Sequence, residues 1–121
     1  MLKILIVDDD VSITELMKAL LKMEGYEPIT VNDSLQAIEI AKSENPDLIT
    51  LDLMMPGLTG FELCKMMTED PDLANTPIVI VSAKDDAESK QMALASGAKD
   101  YLNKPFLVED FIGTIESLTA S

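Results

Sequence analysis

Six residues offer most of the chemistry this sequence can perform. Asp8, Asp9 and Asp10 stand together, while Asp52, Ser82 and Lys104 stand apart, each within a residue or two of the end of a short apolar run. Carboxylates brought within a few ångströms of one another raise one another's pKa and cannot all stay ionised without compensation. A hard divalent cation is the natural remedy. Mg²⁺ takes a few carboxylates, a carbonyl oxygen and waters in an octahedron, which suits Asp9, Asp52 and the main-chain oxygen of Met54, with Asp8 holding a coordinated water. Such a metal would neutralise an incoming phosphoryl group, whose transfer needs in-line positioning and electrostatic stabilisation more than a strong base. Asp52 would then be the nucleophile. Lys104 would pair with phosphate oxygens, and the Ser82 hydroxyl would donate to one of them.

Composition removes several competing chemistries. The chain has no histidine, which excludes imidazole metal sites, histidine-activated nucleophiles and phosphohistidine relays within it. Its one cysteine, Cys64, has no internal disulfide partner. A formal net charge of -13 gives a surface that repels phosphate backbones and anionic lipid, so we expect no direct nucleic-acid binding and no membrane association. No apolar run approaches the roughly 20 residues a membrane span needs, and the apolar segment after Met1 is too short and too β-branched for a signal peptide. The expected location is cytoplasmic.

The elements that must position the six residues follow from hydrophobic patterning. Five short apolar runs, at residues 3–7, 27–31, 47–51, 77–81 and 99–102, read as strands. Ile4-Leu5-Ile6-Val7 and Ile78-Val79-Ile80-Val81 are apolar on both faces, as central strands of a parallel sheet are. Helical periodicity lies between them. Ile13, Leu16, Met17, Leu20 and Leu21 recur at three- and four-residue spacing before Gly25. A second helix is predicted over 34–43, with Leu35, Ala37, Ile38 and Ala41 inside and Pro46 stopping it. Thr59-Gly60-Phe61-Glu62 has the spacing of a capping box and opens a third helix that ends before Pro71. Further helices are predicted over 86–96 and 108–118.

Five strands alternating with five helices in 121 residues make one domain, a doubly wound parallel sheet of order 2-1-3-4-5 with helices on both faces. Sheets of this kind react at the carboxyl ends of their strands, in the crevice between strands one and three. Strand two, ending in Val31-Asn32, contributes little to this reading. The other four strands sit side by side, and their terminal polar residues converge.

With their order and spacing, these residues resemble the receiver domain of two-component response regulators, the CheY-like family. The resemblance runs from Ile4-Leu5-Ile6-Val7-Asp8-Asp9-Asp10 through Leu51-Asp52-Leu53-Met54-Met55-Pro56-Gly57 to Ser96-Gly97-Ala98-Lys99-Asp100-Tyr101-Leu102-Asn103-Lys104-Pro105-Phe106. It implies that Asp52 accepts a phosphoryl group from a phosphohistidine of a sensor histidine kinase or phosphotransfer protein, with Asp8 and Asp9 binding Mg²⁺. It implies that Ser82 and Tyr101 form a switch that reshapes the face of helix four, strand five and helix five, and so reaches a downstream protein target. It also implies a cis Lys104-Pro105 bond, and kinase contacts at Val11, Thr14, Glu15, Lys18 and the loop after Lys104. Met54 and Lys84 occupy positions that tune acyl-phosphate hydrolysis in the family; without a polar side chain at Met54, slow self-dephosphorylation is expected. Such a protein is a phosphoacceptor that catalyses only its own Mg²⁺-dependent phosphorylation and dephosphorylation.

The same residues admit plainer roles. Asp commonly begins helices, and Asp10 is read as a cap rather than a ligand. The plainer reading of Ser82 is the start of a turn, and of Tyr101 a fixed, half-buried aromatic; the switch reading is preferred. Cys64, Met66 and Met67 are read as packing or partly exposed rather than functional, and residues 57–60 as a flexible loop feeding a cap. A pseudo-receiver that never takes phosphate is the alternative function. An FMN-binding protein would need a Ser-, Thr- and Gly-rich loop after strand one, where three aspartates would instead repel phosphate. No output domain follows helix five, so the expectation is a single receiver domain over 1–121, stand-alone or excised. No Lys or Arg follows Lys104, which argues against dimers bridged by basic residues on helix five.

Overall fold

The structure is a computed structural model that describes residues 1–120. In chain order the elements are β1 (Lys3–Val7), α1 (Val11–Met23), β2 (Glu27–Val31), a single 3₁₀ turn (Ser34–Gln36), α2 (Ala37–Glu44), β3 (Leu48–Leu51), α3 (Gly60–Glu69), β4 (Ile78–Ser82), α4 (Ala87–Ala95), β5 (Asp100–Asn103) and α5 (Val108–Thr119). The strands form one sheet of order β2-β1-β3-β4-β5. Every neighbouring pair is parallel, with Val7 opposite Val31 and Leu51, Leu51 opposite Ile80, and Ser82 opposite Asn103. The doubly wound fold read from the sequence is the fold observed.

Strand residues alternate between two cores, as the period of two requires. Leu5, Val7, Ile49, Leu51, Ile78 and Ile80 face one side, where Ala37, Ala41, Leu63, Met67 and Ala93 of α2, α3 and α4 cover them. Ile4, Ile6, Leu48, Val79 and Val81 face the other, beneath Met17 and Leu21 of α1 and Phe111 and Ile115 of α5. Each large side chain buried this way contributes about 1.5–3 kcal/mol, which is why strands without a polar face are stable only between two helical layers. Cys64 is fully buried, and burial pushes its thiol up to about 11, so packing is its observed role.

Several boundaries and faces differ from expectation. β4 includes Ser82 as its last residue, and β5 runs from Asp100 to Asn103 rather than 99–102. Asp47 lies just before β3, its carboxylate accepting from the Lys3 amide at 2.7 Å. Leu16 and Leu35, predicted to face inward, are exposed by 50% and 68%. The Leu35 error has a clear cause. Ser34, not Leu35, is drawn inward, and the first turn becomes 3₁₀ with Asp33 as its cap. α2 then ends at Glu44, and Asn45 caps it in the left-handed conformation just ahead of Pro46.

The caps hold where they were read. Asp10 accepts from the amides of Ser12 and Ile13, and Thr59 and Glu62 form the complete capping box. The acidic connection after α3 is tied down by Lys42, which pairs with Asp70 at 3.3 Å and Asp72 at 3.7 Å while Leu73 buries beneath it.

Residues 57–60 are not a loose loop. A Cβ on Gly60 would lie 2.1 Å from the Asp52 carbonyl oxygen, and the Gly60 amide donates to Leu53 O at 3.0 Å. The start of α3 is therefore pressed against the residue it follows. Gly60→Ala should cost about 3 kcal/mol in urea unfolding, because backbone must move to admit the methyl group; a loss under about 0.5 kcal/mol would contradict this packing.

Candidate functional site

The carboxyl ends of β1, β3 and β5 bring Asp8, Asp52 and Lys104 together, and Ser82 closes the neighbouring strand β4. Asp8 and Asp52 are 2% and 7% exposed, while Asp9 opens to solvent. The three aspartates each present an oxygen within 4.8 Å of the others. Lys104 reaches in from the end of β5, its ammonium 2.5 Å from Asp8 Oδ2 and 3.5 Å from Asp52 Oδ2. The Lys104-Pro105 peptide is cis.

Electrostatics in the pocket are dominated by desolvation. Burial pushes the Asp52 carboxyl above the usual carboxylate range; Lys104 pulls it back, and Asp8 adds to the rise. Burial works against the charge on Lys104 too, but its hydrogen bond to Asp8 and the adjacent Asp52 charge outweigh it, leaving that pKa raised. One ammonium faces three carboxylates, and two negative charges are left for something else to balance. An all-oxygen donor set with that deficit fits a hard dication.

Two further residues predicted from sequence meet at Lys84. The buried Ser82 Oγ accepts from the Lys84 amide at 3.2 Å, and the Tyr101 hydroxyl donates to the Lys84 carbonyl at 2.6 Å. The Tyr101 ring is half-buried, lies 5.8 Å from Lys90 Nζ, and has its hydroxyl pKa raised by burial. Met54 is 61% exposed, and its amide approaches Asp52 Oδ1 at 3.5 Å. Of the four α1 residues expected to face a partner, Val11 and Glu15 are exposed and Lys18 is half-buried. Thr14 is fully buried, its hydroxyl donating to Val11 O, so it cannot be a contact.

Three residues near the site were missed. Asn32 Nδ2 donates to the Asp8 carbonyl at 2.8 Å and to Thr14 Oγ1 at 3.0 Å. Ser34 Oγ donates to Pro56 O at 2.7 Å and accepts from Leu58 N at 2.9 Å. Asn103 Nδ2 joins Tyr101 on the Lys84 carbonyl at 2.9 Å. All three act on backbone far away in sequence, which side-chain type and local spacing do not signal.

A doubly wound sheet with an acidic, lysine-bearing pocket at its switch point defines the class. The chain belongs to the response regulator receiver domain family, whose model matches residues 4–116, and is thus a receiver domain of two-component signal transduction. It is 36% identical over 115 residues to the DNA-binding response regulator MtrA of Mycobacterium tuberculosis, covering 95% of this chain and 49% of that protein. It is 43% identical over 104 residues to the alkaline phosphatase synthesis transcriptional regulatory protein PhoP of Bacillus subtilis, covering 86% of this chain and 42% of that protein. The chain thus spans about half the length of the curated relatives it matches. Among solved structures, the chemotaxis protein CheY4 of Vibrio cholerae superposes with a TM-score of 0.92 at 35% identity, covering 98% of both chains. The BeF3-activated receiver domain of Klebsiella pneumoniae RstA superposes with a TM-score of 0.93 at 27% identity, covering 98% of this chain and 99% of that one. No described helix is long and apolar enough to cross a membrane.

The raised Asp52 pKa has a signed consequence. Its ionised form costs stability in full above the folded pKa, and the cost vanishes as pH falls below the ordinary carboxylate value of 3.8. In metal-free buffer at neutral pH, Asp52→Asn should raise Tm by about 2–5 °C. The difference should close as the pH is lowered through the Asp52 titration; a lower Tm for the variant at neutral pH would contradict the account.

Proposed function

We propose that this receiver domain is a phosphorylation-dependent switch in which Asp52 is the phosphoacceptor. The observation that carries the reading is the placement of Asp52: buried at the end of β3, beside the Lys104 ammonium, and sharing its pocket with Asp8 and Asp9. In this reading a phosphohistidine of a sensor histidine kinase or phosphotransfer protein is the donor. Asp52 Oδ attacks phosphorus in line, the O–P bond forms as the donor's P–N bond breaks, and the leaving imidazole keeps the electron pair. Asp8, Asp9, Asp52 and the Met54 carbonyl would hold Mg²⁺, which when bound supplies charge neutralisation for the transferring group. Lys104 pairs with a phosphoryl oxygen.

The switch then follows from Ser82 and Tyr101. Both are fastened to Lys84, one to its amide and the other to its carbonyl. A phosphoryl oxygen accepting the hydrogen of the Ser82 hydroxyl would draw Ser82 Oγ toward Asp52 and away from the Lys84 amide, shifting the β4–α4 loop. Tyr101 would carry that shift to the face of α4, β5 and α5, where a downstream protein target binds. In this reading the 121 residues form a single receiver domain in the cytoplasm.

The test is intact mass after incubation with Mg²⁺ and a small acyl phosphate. The wild type should gain one phosphoryl group, and Asp52→Asn should gain none. No gain by the wild type would favour a pseudo-receiver that works by protein contact alone. The same samples, desalted, report lifetime: an acidic or amide side chain at Met54 should speed phosphoryl loss several-fold by positioning water.

A further inference from the structure

We infer that the segment following β2 is a strap that sets the spacing of the two acidic loops, with Ser34 as its principal positioning residue and Asn32 as a second tie. The inference rests on the metal-assisted reading of the pocket. It concerns residues to which that reading gives no part.

Every side-chain hydrogen that Ser34 and Asn32 can donate is used. The Ser34 hydroxyl has one hydrogen, given to Pro56 O, and a lone pair that receives the Leu58 amide. It is 2% exposed, and the turn over residues 56–58 wraps it so tightly that a Cβ on Gly57 would lie 2.8 Å from its oxygen. Gly57 itself is at φ +85°, a conformation that other residues rarely adopt. Two residues earlier, the Asn32 amide spends one hydrogen on Asp8 O and the other on Thr14 Oγ1, whose own hydrogen goes to Val11 O. Strand β2 also holds the Asp8 amide through Val31 O at 3.1 Å.

The consequence falls on the loop after Asp52. Its far end is closed by Gly60 on Leu53 O, its middle by Ser34, and the Leu53 and Met55 side chains are buried. Met54 is thereby held between fixed neighbours, and with it the main-chain oxygen assigned to the metal. Asn32 fixes the opposing wall, which bears Asp8 and Asp9. Outer hydrogen bonds of this kind typically govern metal affinity by about 10–100-fold, because ligands free to wander bind less well.

The experiment measures Mg²⁺ affinity by titration of the full chain, at a temperature where every variant is folded. Ser34→Ala should weaken Mg²⁺ binding about tenfold. Ser34→Thr, which keeps the hydroxyl, should recover most of it, and Asn32→Ala should weaken it to a smaller degree. Leu20→Ala, in the α1 core away from both loops, serves as a destabilised control whose Mg²⁺ affinity should match the wild type. In metal-free protein, amide exchange of Leu58 and its loop neighbours should accelerate in Ser34→Ala alone. Unchanged Mg²⁺ affinity in Ser34→Ala, or equal weakening in Leu20→Ala, would overturn the strap. The two readings separate cleanly. A wild type that binds Mg²⁺ but takes no phosphoryl group removes the Asp52 proposal and leaves the strap standing, whereas a phosphorylated wild type with an unaffected Ser34→Ala removes only the strap.

Discussion

An unbalanced charge at the end of the sheet governs this structure. Asp8, Asp9 and Asp52 crowd within 4.8 Å, and Lys104 offsets only one of their charges. In water that imbalance would be minor. At the mouth of a parallel sheet, with Asp8 and Asp52 largely buried, lost solvation raises the Asp52 pKa despite the lysine beside it, and the Asp8 charge adds to the rise. A site strained in this way gains from any hard cation and from any anion that arrives with one.

The remainder of the fold can be understood as what keeps those charges together. Strands β1 and β3 are buried on both faces and paired in register from Ile4 with Leu48 to Val7 with Leu51, so the chain leaves them at the same level. Asp8 and Asp52 have no room to separate along the sheet. Beyond the strands, the loops are fastened by hydrogen bonds rather than by burial alone: Asn32 on one wall, Ser34 on the other, and Gly60 pressed behind Asp52. The other side of the pocket has a different design. There Ser82, Tyr101 and Asn103 all converge on Lys84, through hydrogen bonds that exchange more readily than a packed core can rearrange. A rigid wall of acids and a loop held by exchangeable bonds suit the phosphorylation-dependent switch proposed above.

Much of this was legible in the sequence because it is periodic or local. Uninterrupted apolar runs announced the central strands, Thr59 with Glu62 announced a cap, and the polar residues at strand ends announced the pocket. What escaped was long-range contact with backbone. Asn32 looked like the inert end of an edge strand, yet it bonds across 24 residues to Asp8. Ser34 looked like the first residue of an ordinary helix, and its inward turn to Pro56 is what left Leu35 exposed. Thr14, a kinase contact only by the family resemblance, is instead satisfied inside, donating to Val11 O and accepting from Asn32. Periodicity reports which face is apolar, not which polar group finds a partner inside.

The central claim is that two uncompensated charges in the pocket set its affinity for a dication. Calorimetric Mg²⁺ titration of the wild type, Asp9→Asn and Lys104→Met tests it most directly. Removing a carboxylate should weaken binding about tenfold or more, and removing the competing ammonium should tighten it. One dication bound with the same affinity in all three proteins, or none bound in any, would contradict the account.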